Sequence, residues 1–136
     1  MRTHCRYMRG TDMKYITVLT IILYLCSTVE AEAGICNTYE KYLVACTILN
    51  RVESADFPNT ITEVIEQPGQ FQVYANKTVL NVEVSNDTYI AVKRAIWCQK
   101  RPESLYFCNY EISDTANQGW FDGLTQIYRR MMRYYR

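Results

Sequence analysis

The chain has 136 residues, of which 49% are hydrophobic and 21% charged, and its formal net charge is +1. That length fits one domain of ordinary size and leaves no room for a second, and the balance excludes both a disordered chain and nucleic-acid binding by bulk charge. The only histidine, His4, stands in the N-terminal tail, so Cys-His peptidases, Ser-His-Asp hydrolases and zinc amidases lose the base or ligand they need.

Residues 1–14 carry Arg2, Arg6, Arg9 and Lys14, and the apolar run YITVLTIILYLC follows from Tyr15 to Cys26. That order matches the basic and apolar regions of a signal peptide. The nearest A-x-A cleavage pattern is Ala31-Glu32-Ala33, and a cut there would discard Glu32. The residues before Cys26 are too large for a lipoprotein signal. As a helix, Tyr15 to Val29 would reach about 22 Å, short of the roughly 30 Å hydrocarbon core of a bilayer. Three readings stand side by side: a membrane anchor, a signal cut before Val29, and the first buried helix of the domain. The expected division is a basic tail with its apolar segment over 1–23 and the main domain over 24–136.

Glu40 to Val52 reads as the best helix, since Tyr42, Leu43, Cys46, Ile48, Leu49 and Val52 leave few polar gaps; burial nearly all round is expected. SADFPN breaks that pattern. Thr60-Ile61-Thr62-Glu63 then has capping-box spacing ahead of a short helix, which Pro68-Gly69 ends. From Phe71 to Val84 the β-type stretches FQVYA and TVLNVEV predict a small hairpin or extended flap. Ser85, Asn86 and Asp87 are N-caps for a helix over 88–98, with Ile90, Ala91, Ala95, Ile96 and Trp97 setting its apolar side. SLYFCNY reads as a strand or extended segment. The tail GLTQIYRRMMRYYR, with Arg129, Arg130, Arg133 and Arg136, reads as a basic amphipathic helix, either for an anionic polymer or membrane or docked on the domain.

The six cysteines form no C-x-x-C pair, so metal-ligand spacing is absent. Cys26, Cys36 and Cys46 sit in or beside apolar runs as small hydrophobes, whereas Cys98 and Cys108 flank a turn and are candidates for a disulfide in an exported protein. The twelve tyrosines suit sugar contacts and half-buried packing equally well.

Four blocks in one order resemble the SleB-type, spore-cortex-lytic cell-wall hydrolases of spore formers and phages. VEAEAG at 29–34 is similar to the family's catalytic stretch, YEKYLVACTILNRV at 39–52 to its core helix ending in Asn-Arg, FPNTITEVIEQPGQF at 57–71 to its next block, and LYFCN at 105–109 to its Leu-Tyr-Phe-Tyr-Asn-Pro segment. The resemblance implies a mainly helical α+β fold akin to lysozyme and the lytic transglycosylases, with a small β element beside the cleft. It also implies peptidoglycan glycan strands as substrate, cleaved between N-acetylmuramic acid and N-acetylglucosamine, with no cofactor or metal. By position, the family's catalytic glutamate falls on Glu32. Gln70 and Phe71 would line the cleft, and Tyr106 and Asn109 would hold sugar or N-acetyl groups, with core packing the alternative for Phe71 and Tyr106.

A general acid for a glycosidic oxygen needs a raised pKa, which desolvation against apolar helices supplies; Glu30 points to another face of the helix and is expected to stay solvated. An ordinary glycosidase needs a second carboxylate, and no compelling partner stands out, Glu63, Glu66, Glu83 and Asp87 reading as ordinary solvated side chains. A lytic transglycosylase needs none, because the muramic acid 6-hydroxyl attacks in its place. Asn50 and Arg51 are expected to tie the helix end to neighbouring loops. Cys108 and Tyr110 depart from the family segment, and its usual C-terminal block with His and Phe-Tyr is not recognisable; the altered Cys108 and the basic tail leave open a non-catalytic peptidoglycan-binding or virion protein on the same fold, while an N-acetylmuramoyl amidase is a weaker alternative that the missing core histidine opposes. A monomer in the cell envelope or outside the cell is expected, with membrane contact through residues 15–29 or the basic tail, and delivery as a phage lysin is one reading.

Overall fold

The computed structural model describes residues 10–71 and 81–136. Among the described residues, five helices and three strands run in the order α1 (Gly10–Ala33), α2 (Thr38–Glu53), α3 (Ile61–Ile65), α4 (Asn86–Trp97), β1 (Tyr106–Cys108), α5 (Thr115–Asp122), β2 (Gln126–Arg129) and β3 (Arg133–Tyr135). A 3-10 turn over Tyr110–Ile112 follows β1.

Helix α2 is the centre of the packing and touches α1, α3, α4 and β1. The Asn37 side chain starts it by accepting the Glu40 amide at 2.8 Å, which satisfies one of the donors a helix N-terminus leaves open. Every residue from Glu40 to Ile48 is buried, as the near-continuous apolar pattern predicts. Thr47 is bonded both within the helix and across to a distant loop. The Thr47 hydroxyl donates to Leu43 O at 2.9 Å and shares a 2.6 Å hydrogen bond with the Ser104 hydroxyl.

Helix α1 has two different halves. Tyr15, Val18, Leu19 and Leu23 are all more than half exposed, whereas Leu25, Cys26, Val29 and Ala33 are buried against the domain. One continuous helix runs through the expected 23/24 boundary. No helix among the described residues is long and apolar enough to cross a membrane.

The short elements begin where their caps predict. In α3 the Thr60 side chain accepts the Glu63 amide at 3.2 Å, and its hydroxyl donates to Glu63 Oε2 at 2.7 Å. Ser85 caps α4 by accepting the Thr88 amide. The apolar side of α4 differs from the expected one. Thr88, Ala91, Val92 and Ala95 are buried, while Ile90, Ile96 and Trp97 point to solvent. Small side chains at this spacing let α4 approach α2 closely, and the larger apolar residues are left outside.

The β element is an antiparallel sheet of order β1-β3-β2, with Phe107 opposite Tyr134. SLYFCNY thus supplies a strand, as expected. The hairpin expected over 71–84 lies for residues 72–80 outside the described residues, and its described end, 81–84, carries no strand. The tail expected as a helix is instead the β2–β3 hairpin. Its arginines and methionines favour helix locally, but the Tyr134 ring packs against Phe107 and Tyr128 with no exposed surface, and the edge of β1 accepts β3. Glu40 also holds the turn: the Met132 amide donates to its Oε1 at 3.0 Å, and the Tyr134 hydroxyl donates to the Glu40 carbonyl at 3.2 Å.

Cys98 and Cys108 are both free thiols, as are Cys26, Cys36 and Cys46. Burial pushes the Cys36 thiol up to about 11 and the Cys46 thiol up to about 12, which keeps both protonated and unreactive at neutral pH.

Candidate active site

The two glutamates of VEAEAG lie on the last turn of α1, about 200° apart around the helix axis at its 3.6-residue pitch. Glu32 is half-buried, and its Oε1 atom is shielded from solvent. The turn ends tightly at Gly34, where a Cβ would stand 2.6 Å from the Glu30 carbonyl oxygen. Only glycine allows that approach without a shift of the helix end.

Glu30 is not the solvated partner that the spacing predicts. Its side chain is 13% exposed, and Oε2 accepts the Ser85 amide at 3.2 Å, the Ser85 hydroxyl at 2.9 Å and the Thr88 hydroxyl. The Lys41 ammonium lies 3.7 Å from the same oxygen and donates to Ser85 Oγ at 3.0 Å. Burial pushes the Glu30 carboxyl up, but the hydrogen bonds from Thr88 and Ser85 and the Lys41 charge outweigh it and hold the group below the ordinary value. The reason for the difference is tertiary: α1 crosses α4 where the latter offers its open N-terminus, a natural carboxylate site.

At the other end of α2, Arg51 is a hub. It is 4% exposed, its Nε donates to Leu105 O at 2.8 Å and its Nη1 to Gln70 Oε1 at 3.1 Å. The guanidinium also lies over the rings of Phe57, Phe71 and Tyr106, at 5.0, 5.5 and 5.5 Å from their centroids. Burial pulls its pKa down to about 10, so it stays charged at neutral pH. Asn50 beside it donates to Pro102 O and Ser104 O and accepts from Arg101. Both residues therefore tie the helix end to loops, as the sequence predicts.

Gln70, Phe71 and Tyr106 thus meet around Arg51. Phe71 is 2% exposed and packs on Phe107, so it supports the site from within the core and does not line a cleft. Gln70 is exposed and accepts from Arg51 through its Oε1, and Tyr106 is half-buried. Asn109 lies just past β1 with an exposed side chain, while its carbonyl accepts the Ser113 hydroxyl at 2.9 Å.

One residue escaped the sequence reading. Trp120, on α5, is half-exposed and stands edge-on to Tyr106 at 5.0 Å between centroids. The signal was a tryptophan inside the polar stretch TANQGWFDG, where no apolar periodicity claims it for a core.

A family model described as Cell Wall Hydrolase matches residues 37–133, a span that starts at the cap of α2 and leaves Glu32 outside it. No curated protein matches. Among solved structures, the catalytic domain of the germination-specific lytic transglycosylase SleB from Bacillus anthracis is similar at 27% identity, covering 85% of this chain and 93% of that one, with a TM-score of 0.72. The catalytic domain of the Bacillus cereus SleB protein is similar at 26% identity, covering 86% of this chain and 91% of that one, with a TM-score of 0.73.

Proposed function

Since the chain belongs to the cell wall hydrolase family, we propose that it cleaves the bond between N-acetylmuramic acid and N-acetylglucosamine in peptidoglycan as a lytic transglycosylase, forming 1,6-anhydro-muropeptides. The observation that supports this reading is the seat of Glu32 on the last turn of α1, half-buried and with one carboxyl oxygen shielded from solvent, a partly desolvated setting that suits a general acid for a glycosidic oxygen. Glu30 beside it is held instead by Ser85, Thr88 and Lys41. Likeness to the SleB catalytic domains supports the same chemistry.

In this reading the Glu32 carboxylic acid donates its proton to the glycosidic oxygen as the bond to the muramic acid C1 breaks, leaving an oxocarbenium centre on that sugar. The muramic acid 6-hydroxyl then attacks C1, and the Glu32 carboxylate takes the hydroxyl proton. The acid is regenerated, no water is consumed, and the products are an anhydro-muramyl end and a free N-acetylglucosamine 4-hydroxyl. The Gln70 amide and the Asn109 side chain hydrogen-bond sugar or N-acetyl groups, and the Tyr106 and Trp120 rings offer apolar faces to a pyranose. Because its substrate is the wall, the protein acts outside the cytoplasm.

The test is mass spectrometry of fragments released from purified peptidoglycan by the protein and by Glu32→Gln. Anhydro-muropeptides from the first and none from the second are expected. Reducing muramic ends would mean hydrolysis and a second carboxylate, and freed stem-peptide amines would mean an amidase. Co-sedimentation with walls without any fragments would identify a binding protein on this fold.

A further inference from the structure

The last turn of α1 carries two glutamates, and only one is used by the proposed reaction. Glu30 instead joins three helices at a single carboxylate oxygen. From α4 come the Ser85 amide and hydroxyl and the Thr88 hydroxyl, and from α2 comes Lys41, itself 3% exposed and bridged to the same Ser85 hydroxyl. This cluster is more than a buried ion pair. Ser85 is at the same time the N-cap of α4, so the hydroxyl that starts that helix also grips α1.

We propose that Glu30 is a positioning residue for Glu32: the Glu30–Ser85–Thr88–Lys41 clasp sets the rotation of the last turn of α1 and thereby the place of the Glu32 carboxyl. The inference rests on the reading of Glu32 as the acid. Side-chain tips lie about 6 Å from a helix axis, so a rotation of about 10° moves a carboxyl by about 1 Å. A displacement of that size at a reacting group lowers a rate by as much as about 100-fold. Helix α1 needs such a stop. It ends at Ala33, and Gly34 turns with its Cα close enough to the Glu30 carbonyl that a Cβ there would be only 2.6 Å away. The alanines between and beyond the glutamates, Ala31 and Ala33, have no long side chain to key the turn. The polar clasp has directional bonds, which apolar contact lacks, and it fixes an angle as well as a distance.

Glu30→Gln keeps the shape and the acceptor oxygen and removes the charge, Thr88→Val removes one donor without changing volume, and Lys41→Met removes the ammonium. Each is compared with wild type and Glu32→Gln on soluble uncrosslinked peptidoglycan strands, at a temperature where circular dichroism shows every variant folded. Glu30→Gln is expected to lower kcat about 10- to 100-fold with KM within about twofold, and Thr88→Val to lower kcat by about threefold to tenfold. Glu30→Gln with Lys41→Met should be no slower than Glu30→Gln alone, because the two residues act as one unit. If Glu30→Gln melts earlier but keeps the wild-type kcat while Glu32→Gln is inactive, the clasp is structural only and the positioning role is overturned. If Glu32→Gln keeps full activity, or wild type releases no fragments, the reading of Glu32 fails and the positioning role falls with it.

Discussion

The two ends of α2 bury charged residues in opposite ways. At the N-terminal end, charge meets charge or a backbone donor: Lys41 faces Glu30, and Glu40 takes the Met132 amide from a hairpin 92 residues further along the chain. At the C-terminal end, among the described residues, Arg51 meets neutral groups, two carbonyl oxygens and three aromatic faces. The apolar middle from Leu43 to Ile48 would pack against many partners, because burial is non-directional. The polar ends choose which segments arrive: one end seats α1, α4 and the hairpin turn, the other seats Gln70, Leu105 and Tyr106. The first sets the place of Glu32, and the second sets the residues proposed to hold sugar.

The comparison breaks most sharply at Arg51. Arg51→Met should destabilise the fold by about 3 kcal/mol, since Leu105 O and Gln70 Oε1 lose a charged donor and three rings lose their cation. A denaturant midpoint shift smaller than a third of that would mean the loops are held by their own contacts. The N-terminal end answers to acid instead. Glu30 is held below its ordinary value of 4.5, so its stabilising contribution is fully present above that pH and is lost as pH falls through the lower folded value. Unfolding midpoints measured between about pH 6 and 3 should therefore fall more steeply for wild type than for Glu30→Gln. Parallel curves would place the acid-sensitive group elsewhere. Trp120→Ala is the mildest change: half-exposed, the ring should alter stability by less than about 0.5 kcal/mol, yet raise KM for glycan strands about threefold to tenfold through one lost ring contact. An unchanged KM would remove Trp120 from the sugar path.

Much of the helical frame was legible because its signals are local. Thr60 and Ser85 announce α3 and α4 within one turn of the helices they start, and the unbroken apolar run announces α2. The tail misled because arginine and methionine favour helix, and the edge that makes them a strand belongs to Tyr106–Cys108, far upstream. The apolar side of α4 misled for a related reason: size decided it, as alanines let two helices close and isoleucines do not. At the site, Arg51 and Asn50 were readable as loop ties because donors at a helix C-terminus seek carbonyls. Phe71 and Glu30 were not. Composition leaves a phenylalanine free to line a cleft or fill a core, and a glutamate free to be solvated or clasped.

The sequence by itself determined the helical class, the caps, the strand at Tyr106–Cys108 and the pairing of two glutamates at one helix end, all properties of residues near one another in the chain. Only the tertiary structure decided that Glu30 is spent on Ser85, Thr88 and Lys41, that Phe71 lies under Arg51, and that the basic tail is a hairpin. Each has a decisive partner at least 20 positions away, Ser85 and Thr88 for Glu30, Arg51 for Phe71 and β1 for the tail, and no local propensity encodes which distant donor or strand edge a side chain will meet.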